Sequence, residues 1–434
     1  MLCWNPEIEM ASREKLRALQ EKRLLETVER MYAHVAPYRK KMDDIGLLPG
    51  DIRSLDDLDK LPFTQKQDLR DAYPFGLFAV PMGDIVRVHA SSGTTGKQTV
   101  VGYTKKDIER WSDIVARAYA AGGVTREDIG HISYGYGLFT GGLGAHWGCE
   151  RLGAATVPVS TGNTKRQIQL MRDFGCTFIC CTPSYALYLA ETMEEMGLDI
   201  EHDIKLRRGF FGAEPWTEAM RSEIERRLHL KAFDIYGLSE VMGPGVAFEC
   251  EKQGGLHINE DHFIPEIVDP VTGKPVPDGK EGELVFSCVT KEALPLLRYR
   301  THDVTSFVTE ECACGRVFRR MKKPTGRTDD MLIIRGVNVF PSQVESVLLE
   351  MGQVAPYYQL IVDRRGNLDT LEILVEMSDD MLIDNIRAIE DLQNAIRRNV
   401  ESTLGIAARI RIVEPHSIER VEGKAKHIID RRSL

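Results

Sequence analysis

One short stretch of the chain combines small residues, hydroxyl groups and a single cation. It lies between two strand-like runs and consists of Ser91, Ser92, Gly93, Thr94, Thr95, Gly96 and Lys97. Small residues let backbone N–H groups close around phosphate oxygens, and hydroxyls and an ammonium add further donors. The stretch therefore predicts a loop that binds the phosphates of a nucleotide. The alternative interpretation is a flexible, solvated turn.

Two widespread nucleotide-binding motifs do not fit the chain. A Walker A loop needs glycine where Ser91 stands, needs Ser or Thr where Gln98 stands, and opens a helix, whereas the residues after Gln98 are typical of a strand. A Rossmann glycine motif fails too, because Thr140 stands where the third glycine after Gly135 and Gly137 belongs. The sequence therefore disfavours P-loop kinases, GTPases and a Rossmann dinucleotide site.

A second, independent signal for chemistry is the pair Cys312 and Cys314. Two thiolates one residue apart in a turn commonly form half of a tetrahedral zinc site. Cys250 and His257, in a glycine-containing loop, are the best candidates for the other two ligands, because most remaining cysteines lie in strand-like runs. A zinc ion with four protein ligands would be structural. Unrelated free thiols are the alternative.

The elements that would hold these residues alternate along the chain. Residues 12–35 place apolar residues at helical intervals among charges, which predicts an amphipathic helix. Short β-branched runs then alternate with helical patterns, and the predicted strands are 84–90, 98–103, 155–159, 177–181, 209–212 and 231–236. This alternation predicts a mixed α/β fold.

The pattern changes twice towards the C-terminus. From Pro265 to Leu297, turns flank a strand-like run at 283–288, which predicts a β-rich subdomain. A break at 324–327 with proline and glycine precedes renewed strand and helix patterns. We therefore expect a large N-terminal α/β domain over 1–326 and a small α+β C-terminal domain over 327–434.

Composition excludes several classes of protein. With 434 residues, 43% hydrophobic and 28% charged, the chain is long enough for two or more packed globular units. Its net charge of −9, with both signs interspersed, provides no cationic surface for nucleic acid. It has neither a secretory signal nor an apolar run of about 18 residues, so we expect no membrane partner and a cytoplasmic location. The nine scattered cysteines do not fit a disulfide framework.

Several segments, in order, resemble the signature segments of the adenylate-forming superfamily, which includes acyl–coenzyme A synthetases. They are the loop at 91–97, Gly-Ala-Glu-Pro at 212–215, Tyr-Gly-Leu-Ser-Glu at 236–240, Tyr-Arg-Thr-His-Asp at 299–303, Gly-Arg-Thr-Asp-Asp at 326–330 and Glu-Gly-Lys at 422–424. Residues 331–341 and 260–263, with the short total length, are similar to the phenylacetate–coenzyme A ligase branch. The resemblance implies the two-domain fold of these enzymes, in which the C-terminal domain is mobile.

The resemblance also implies a reaction. An arylacetic acid, with phenylacetate as the first candidate, would be activated by ATP and Mg²⁺ to an acyl-adenylate and then transferred to coenzyme A, releasing AMP and pyrophosphate. Besides the loop at 91–97, the implied ATP-binding residues are Gly212, Ala213, Glu214, Pro215, Asp234, Tyr236, Gly237, Ser239, Asp303 and Arg327. His302 stands where the family pattern has glycine, so the turn beside Asp303 is an open question.

Three residues are implied as catalytic. Lys424 would bridge the substrate carboxylate and the α-phosphate, because two anions react only when their charge is neutralised. Glu240 would hold Mg²⁺. Asp329 would be the pivot of a domain rotation that brings Lys424 in for adenylation and removes it for thioester formation. From the residues alone, Lys424 also fits a surface lysine in a basic tail, and Glu240 a glutamate at a helix start.

The resemblance implies fewer residues for the sites of the acid and of coenzyme A. The acid's ring would lie near Tyr136, Phe139, Gly141 and Ala213, and coenzyme A near Arg335 and Gly336. The mixture of aromatics and glycines at 134–144 suits an apolar slot for a flat ligand, but it suits close packing in the core equally well.

Two other functions stay open. An adenylyltransferase of the same fold, acting on a deazaflavin hydroxyl, would stop at the AMP adduct, and a requirement for coenzyme A separates it from a ligase. A regulatory protein that binds ATP without catalysis is disfavoured by the joint presence of Lys424, Glu240 and Asp329. The expected partners are a small acid, ATP and coenzyme A, with a homodimer as the candidate assembly.

Overall fold

The structure is a computed structural model that describes most of the chain. The described residues are 2–90, 98–328, 332–334, 337–339, 341–351, 354–365, 368–378, 386–420 and 427–432. The helices are α1 (Pro6–Glu9), α2 (Arg13–His34), α3 (Ala36–Asp44), α4 (Lys66–Asp71), α5 (Lys105–Ala121), α6 (Thr140–Leu152), α7 (Thr164–Phe174), α8 (Pro183–Glu195), α9 (Ile200–Asp203), α10 (Glu218–Leu228), α11 (Pro341–Met351) and α12 (Ile386–Leu404).

The strands follow the same chain order. They are β1 (Ile85–Ala90), β2 (Val100–Thr104), β3 (Ile129–Ile132), β4 (Ala155–Val157), β5 (Phe178–Cys181), β6 (Arg208–Phe211), β7 (Lys231–Leu238), β8 (Gly243–Glu249), β9 (Leu256–Ile258), β10 (Phe263–Val268), β11 (Gly282–Cys288), β12 (Tyr299–Thr305), β13 (Phe307–Val308), β14 (Arg320–Met321), β15 (Gly326–Arg327), β16 (Leu332–Ile334), β17 (Val337–Val339), β18 (Val354–Arg365), β19 (Leu368–Met377), β20 (Arg409–Val413) and β21 (Ile428–Asp430).

The predicted amphipathic helix at 12–35 is confirmed as α2. The Ser12 side chain caps it by accepting a hydrogen bond from the Lys15 backbone N–H, which satisfies one of the free donors of the first turn. Its apolar side faces inward, with Leu24 and Val28 fully buried. The helix therefore packs one stripe of side chains into the core, as its periodicity predicts.

The largest sheet of the described residues has strand order β13-β14-β9-β8-β7-β6-β5-β3-β4. Strands β3 to β7 pair in parallel, and β8 and β9 continue the sheet in antiparallel pairing. Side chains along the parallel strands alternate between two separate cores: Phe210 lies in one core and Phe211 in the other. Because successive strand residues point to opposite faces, both faces of this sheet are covered.

Two smaller four-stranded sheets flank the large one within the described part of the chain. The sheet β10-β11-β12-β15 is antiparallel and corresponds to the predicted β-rich subdomain. The sheet β20-β19-β18-β21 shares a separate core with α11 and α12. Strand β15 pairs Arg327 with Asp303 across the boundary placed at 326/327, and that boundary stays a prediction.

The six predicted strands are observed as β1, β2, β4, β5, β6 and β7, within a few residues at each end. The prediction missed β3, whose sequence Ile-Gly-His-Ile lacks a β-branched run. A Cβ on Gly130 would lie 2.4 Å from the Phe178 ring, so this strand depends on a close approach to its neighbour that local sequence does not reveal. None of the described helices is both long and apolar enough to cross a membrane.

Candidate functional site

A pocket of about 130 Å³ lies beyond the carboxyl ends of the parallel strands β6 and β7. Ligands of open α/β sheets commonly bind at this edge. The lining residues come from segments far apart in sequence: Gly212, Ala213, Glu214, Pro215, Trp216, Asp234, Ile235, Tyr236, Gly237, Leu238, Asp303, Lys323, Pro324 and Arg327. The fold thus brings most of the predicted ATP-binding residues around one cavity.

Two glycines allow the backbone of this pocket to pack closely. A Cβ on Gly212 would lie 2.2 Å from the Ile235 carbonyl oxygen, and one on Gly237 would lie 2.0 Å from the Gly243 carbonyl oxygen. Both distances are far below contact, so a larger residue would force the strands apart. Ala213, next to Gly212, adopts a φ of +70°, a left-handed conformation that costs about 1 kcal/mol or more for a residue with a Cβ. Strain of this kind is often found at binding sites.

One wall of the pocket is built around the carboxylate of Asp303. The Tyr236 hydroxyl donates a hydrogen bond to its Oδ2 (2.5 Å), and Arg327 Nη1 donates to its Oδ1 (3.0 Å). Asp303 is 8% exposed, and the arginine keeps this buried carboxylate charge-compensated. An ionised, oriented carboxylate at a pocket wall is a suitable acceptor for two neighbouring hydroxyl groups.

The turn beside Asp303 places a residue with positive φ at the position where the family pattern has glycine. His302 adopts a φ of +65°, the left-handed conformation that glycine would adopt without steric cost. Its ring Nδ1 lies 2.9 Å from the Thr328 hydroxyl, which gives the imidazole a partner in this conformation. His302 therefore holds, beside Asp303, a backbone conformation that is also open to glycine.

The other end of the pocket contains two residues that sequence reasoning missed. Trp216 Nε1 donates to Asp234 Oδ2 (2.9 Å), and Lys323 Nζ lies 3.8 Å from the centre of the Trp216 ring. Burial raises the pKa of Asp234 to about 7, against the lowering effects of Lys323 and Arg221. No local motif marks Trp216 or Lys323, and only the fold brings them to Asp234.

Glu240, the predicted magnesium ligand, is buried close to a lysine and a hydroxyl. Its Oε1 lies 3.4 Å from the Thr99 hydroxyl and 3.9 Å from Lys66 Nζ. Thr99 follows Lys97 by two residues in the sequence, so Glu240 contacts a residue that comes shortly after the predicted phosphate loop. Lys66 was not predicted, because nothing in its local sequence distinguishes it from a surface lysine of α4.

Residues predicted to contact the acid occupy different environments. The Tyr136 hydroxyl lies 3.2 Å from His146 Nδ1, whereas Phe139 is 52% exposed at the start of α6. The Thr140 hydroxyl lies 2.8 Å from that of Ser239, which joins this segment to the predicted ATP-binding segment at 236–240. A Cβ on Gly141 would be in ordinary contact with the Tyr134 ring. The two segments are neighbours, as a shared acyl-adenylate site requires.

Eleven of the residues predicted to bind substrates or to act in catalysis lie outside the described residues. They are Ser91, Ser92, Gly93, Thr94, Thr95, Gly96, Lys97, Asp329, Arg335, Gly336 and Lys424. One described residue of the predicted ATP site, Glu214, has a hydrogen-bond partner elsewhere in the fold. Glu214 accepts a hydrogen bond from the Ser184 backbone N–H at the start of α8 (2.8 Å). Through this contact Glu214 satisfies a backbone N–H of the first turn of α8, which has no partner within the helix.

The four predicted zinc ligands lie together. The ligand atoms of Cys250, His257, Cys312 and Cys314 all lie within 4.8 Å of one another. The Cys250 and Cys312 sulfurs are 3.7 Å apart, and His257 Nε2 is 3.4 Å from the Cys314 sulfur. A tetrahedral zinc ion, with bonds of about 2.3 Å to sulfur and about 2.0 Å to nitrogen, separates its ligand atoms by about 3.5 to 3.8 Å. The spacing and the donor set therefore fit zinc.

The surroundings of the cluster also fit a metal centre. His257 Nδ1 lies 3.3 Å from the Phe318 carbonyl oxygen, which orients the ring so that Nε2 faces the sulfurs. Hydrogen bonding of the second ring nitrogen is typical of metal-bound histidine. The Arg316 backbone N–H points at the Cys314 sulfur (3.5 Å), a contact that stabilises a thiolate. The cluster joins the turn at 312–315 to the end of β8 and to β9.

Comparisons with known proteins agree with this architecture. Residues 39–289 match the model of the AMP-binding enzyme family, and residues 336–432 match that of the AMP-binding enzyme C-terminal domain. The phenylacetate–coenzyme A ligase of Aromatoleum evansii is 53% identical over 428 residues, covering 98% of this chain and 96% of the relative. The phenylacetate–coenzyme A ligase of Escherichia coli K12 is 53% identical, covering 98% and 97%.

Solved structures of a related ligase allow the folds to be superposed. The chain superposes with a TM-score of 0.93 on 2-hydroxyisobutyryl-CoA ligase in the postadenylation state with R3-HIB-AMP, at 28% identity, over 99% of this chain and 92% of that one. The score is 0.71 for the same ligase with 2-HIB-AMP and CoA in the thioesterification state, over 98% and 91%. The chain belongs to the AMP-binding enzyme family and, within it, to the group of the phenylacetate–coenzyme A ligases.

Proposed function

We propose that the protein ligates phenylacetate to coenzyme A at the expense of ATP. The acid first attacks the α-phosphate to form phenylacetyl-adenylate and pyrophosphate, and the thiol then displaces AMP. The observation that carries the proposal is the pocket built by Gly212–Pro215, Tyr236, Asp303 and Arg327, in a chain about half identical to phenylacetate–coenzyme A ligases over nearly its whole length. Nothing observed favours the alternative, adenylation of a deazaflavin hydroxyl.

In this account the pocket holds the adenosine of ATP. Tyr236 and the backbone of Gly212–Pro215 enclose the base, while Asp303, held by Arg327 and Tyr236, accepts hydrogen bonds from the ribose hydroxyls. Asp234 lines the same pocket, and its carboxylate is available to the exocyclic amine of adenine when ionised. The loop at 91–97 would hold the phosphates, with Ser239 near the α-phosphate.

Glu240 is proposed to hold Mg²⁺ against the phosphates. The ion would neutralise phosphate charge and favour departure of pyrophosphate. A buried carboxylate suits this role, since hard oxygen ligands are those that Mg²⁺ prefers. Lys66 and Thr99, both within 4 Å of the carboxylate, add a cation and a hydroxyl to the same region.

Lys424 and Asp329 are proposed to act through domain rotation. Lys424 must approach the carboxylate and α-phosphate during adenylation and leave before the thiol attacks. The likeness to the postadenylation state of 2-hydroxyisobutyryl-CoA ligase supports assigning the described arrangement to the first half-reaction. Tyr136, Phe139, Gly141 and Ala213 remain proposed contacts of the acid, and Arg335 and Gly336 remain proposed contacts of coenzyme A.

The Cys/His cluster is proposed to bind a structural zinc ion. Four protein ligands leave no vacant position for water or substrate, so the ion would contribute to stability and not to catalysis. By tying the turn at 312–315 to β8 and β9, it would fix the strands that precede β15 and Arg327. The two-domain boundary at 326/327 and a homodimer remain predictions of the sequence.

Replacing Asp303 by asparagine is expected to raise the KM for ATP about tenfold or more, with a smaller effect on kcat. A hydrogen bond to a charged acceptor contributes about 1.5–3 kcal/mol, and the neutral amide offers one acceptor oxygen in place of two. Steady-state kinetics at saturating acid measure the effect. Tyr236→Phe, which keeps the ring but loses the hydrogen bond to Asp303, should change the KM less; an unchanged KM in Asp303→Asn would contradict the ribose assignment.

The choice of acid is tested by a panel in the pyrophosphate exchange assay. Phenylacetate, 4-hydroxyphenylacetate, indole-3-acetate and aliphatic acids of similar length are compared at limiting concentration. Phenylacetate is expected to give the highest kcat/KM. A higher kcat/KM for an aliphatic acid would contradict the assignment of an arylacetate substrate.

A further inference from the structure

Arg420 lies where the C-terminal sheet meets the helices of the N-terminal part of the chain. Within the C-terminal sheet, its two terminal nitrogens donate to Glu376 of β19, at 2.8 and 2.6 Å, and its guanidinium stacks 3.3 Å from the centre of the Tyr357 ring of β18. Glu376 also accepts a hydrogen bond from the Ile418 backbone N–H (3.0 Å). These contacts attach residues 418–420 to the sheet.

A further contact of Arg420 crosses to the N-terminal part. Its Nε lies 3.5 Å from Oε2 of Glu191, a residue of α8. Arg227 of α10 lies 4.0 Å from the other oxygen of Glu191. The Glu191 and Arg420 side chains are only 14% and 11% exposed, so solvent screens their attraction poorly. Burial raises the pKa of Glu191, and the two arginines oppose that effect.

The two ion pairs of Arg420 differ in strength. The pair with Glu376 is bidentate and has hydrogen-bond distances, whereas the pair with Glu191 is single and longer. When the two parts separate, Arg420 should therefore stay with Glu376 and leave Glu191. A cleft of about 720 Å³ opens beside the contact, lined on one wall by charged residues of α8 and α10 and on the other by Val354, Glu376 and Met377. Glu191 and Arg420 both line this cleft, so the contact lies at its edge.

We propose that the ion pair between Glu191 and Arg420 is a releasable interdomain contact that positions the chain before Lys424 for adenylation. Arg420 precedes Lys424 by four residues, so a contact that anchors Arg420 to both parts limits where Lys424 can lie. Glu191 and Arg420 are positioning residues, because neither is placed against the reacting atoms. The inference rests on the proposed function. It adds a partner on α8 to the expected hinge at Asp329.

The two half-reactions, measured separately, test this role. Adenylation is followed as phenylacetate-dependent exchange of pyrophosphate into ATP, and thioester formation as consumption of synthetic phenylacetyl-AMP in the presence of coenzyme A. Glu191→Gln keeps the shape of the side chain and removes its charge. It is expected to lower exchange by about three- to tenfold, the effect of one partly buried ion pair, and to leave thioester formation unchanged or faster.

Glu194→Gln is the matched control. Glu194 lies one turn further along α8, lines the same cleft and pairs with Arg227 at 2.6 Å instead of with Arg420. It should retain both half-reactions. Arg420→Gln should lower exchange more than Glu191→Gln, because it also loses Glu376, and adding Glu191→Gln to it should cost no more than a further twofold, since the ion pair is already broken.

Two outcomes would overturn the inference: Glu191→Gln with undiminished exchange, or with equal losses in both half-reactions. The second would identify a general structural defect, which a positioning role does not predict. Wild-type protein without any phenylacetate-dependent exchange would instead refute the proposed function. The two failures are therefore distinguishable in one set of measurements.

Discussion

Replacing Lys424 by alanine is expected to lower phenylacetate-dependent pyrophosphate exchange by about 100- to 1000-fold. The attacking carboxylate and the α-phosphate are both anions, and the ammonium is the group proposed to neutralise their repulsion as they approach. Thioester formation from synthetic phenylacetyl-AMP should persist, because in that step the adenylate already carries a good leaving group. The rates of pyrophosphate exchange and of thioester formation are measured for the variant and the wild type, and their ratio is compared.

Lys426→Ala is the control for the Lys424 variant. Lys426 is a second cation of the same basic tail, two residues further along. Its replacement should leave exchange within about twofold, since no role in the reaction is assigned to it. Undiminished exchange in Lys424→Ala would refute the catalytic assignment. Loss of thioester formation alone would show that the lysine acts in the second half-reaction.

Replacing Cys314 by serine is expected to remove zinc and to lower the melting temperature by about 5 °C or more. A hydroxyl is a poor substitute for a thiolate ligand, and a structural metal bound only by the native state adds its binding free energy to stability. The unfolding entropy grows with chain length, so for a chain of 434 residues each kcal/mol lost lowers the melting temperature by about 1 °C, and a loss of about 5 kcal/mol gives a shift of this size. Metal analysis of the purified protein and a thermal scan measure both effects.

Cys149→Ser separates the metal effect from that of losing a buried thiol. Cys149 is fully buried outside the cluster, with its sulfur near the Ala154 and Ala155 carbonyl oxygens. The variant should lose some stability but retain its zinc. A wild-type protein that binds no zinc when expressed with the metal in excess would contradict the proposal, and so would a Cys314→Ser variant with a full equivalent.

The strands that could be predicted are those whose own residues carry an apolar, β-branched pattern. The alternation of β-branched runs and helical periods predicted β1, β2 and β4 to β7, because each of these strands carries its own apolar signal. Strand β3 was not predictable in this way. Its glycine is required by the Phe178 ring of the neighbouring strand, and that requirement exists only once the sheet has formed.

The residues of the candidate site also differ in whether the local sequence predicts them. Tyr236, Asp303 and Arg327 could be placed from their motifs, and the fold brings them into contact. Trp216, Lys323, Lys66 and Arg420 carry no local signature, because their proximity to the pocket or the interdomain cleft arises only from tertiary structure. The Cys/His cluster is an exception: donor chemistry and turn context were enough to select four residues from distant segments whose side chains lie together, and their binding of zinc stays a proposal.

The product formed from phenylacetate, ATP and coenzyme A tests the central claim most directly. Mass spectrometry of the reaction mixture, with nucleotides quantified by chromatography, should find phenylacetyl-coenzyme A and AMP in equal amounts, and no thioester when any one of the three substrates is omitted. Formation of ADP in place of AMP, or an AMP adduct that accumulates and does not react with coenzyme A, would contradict the account.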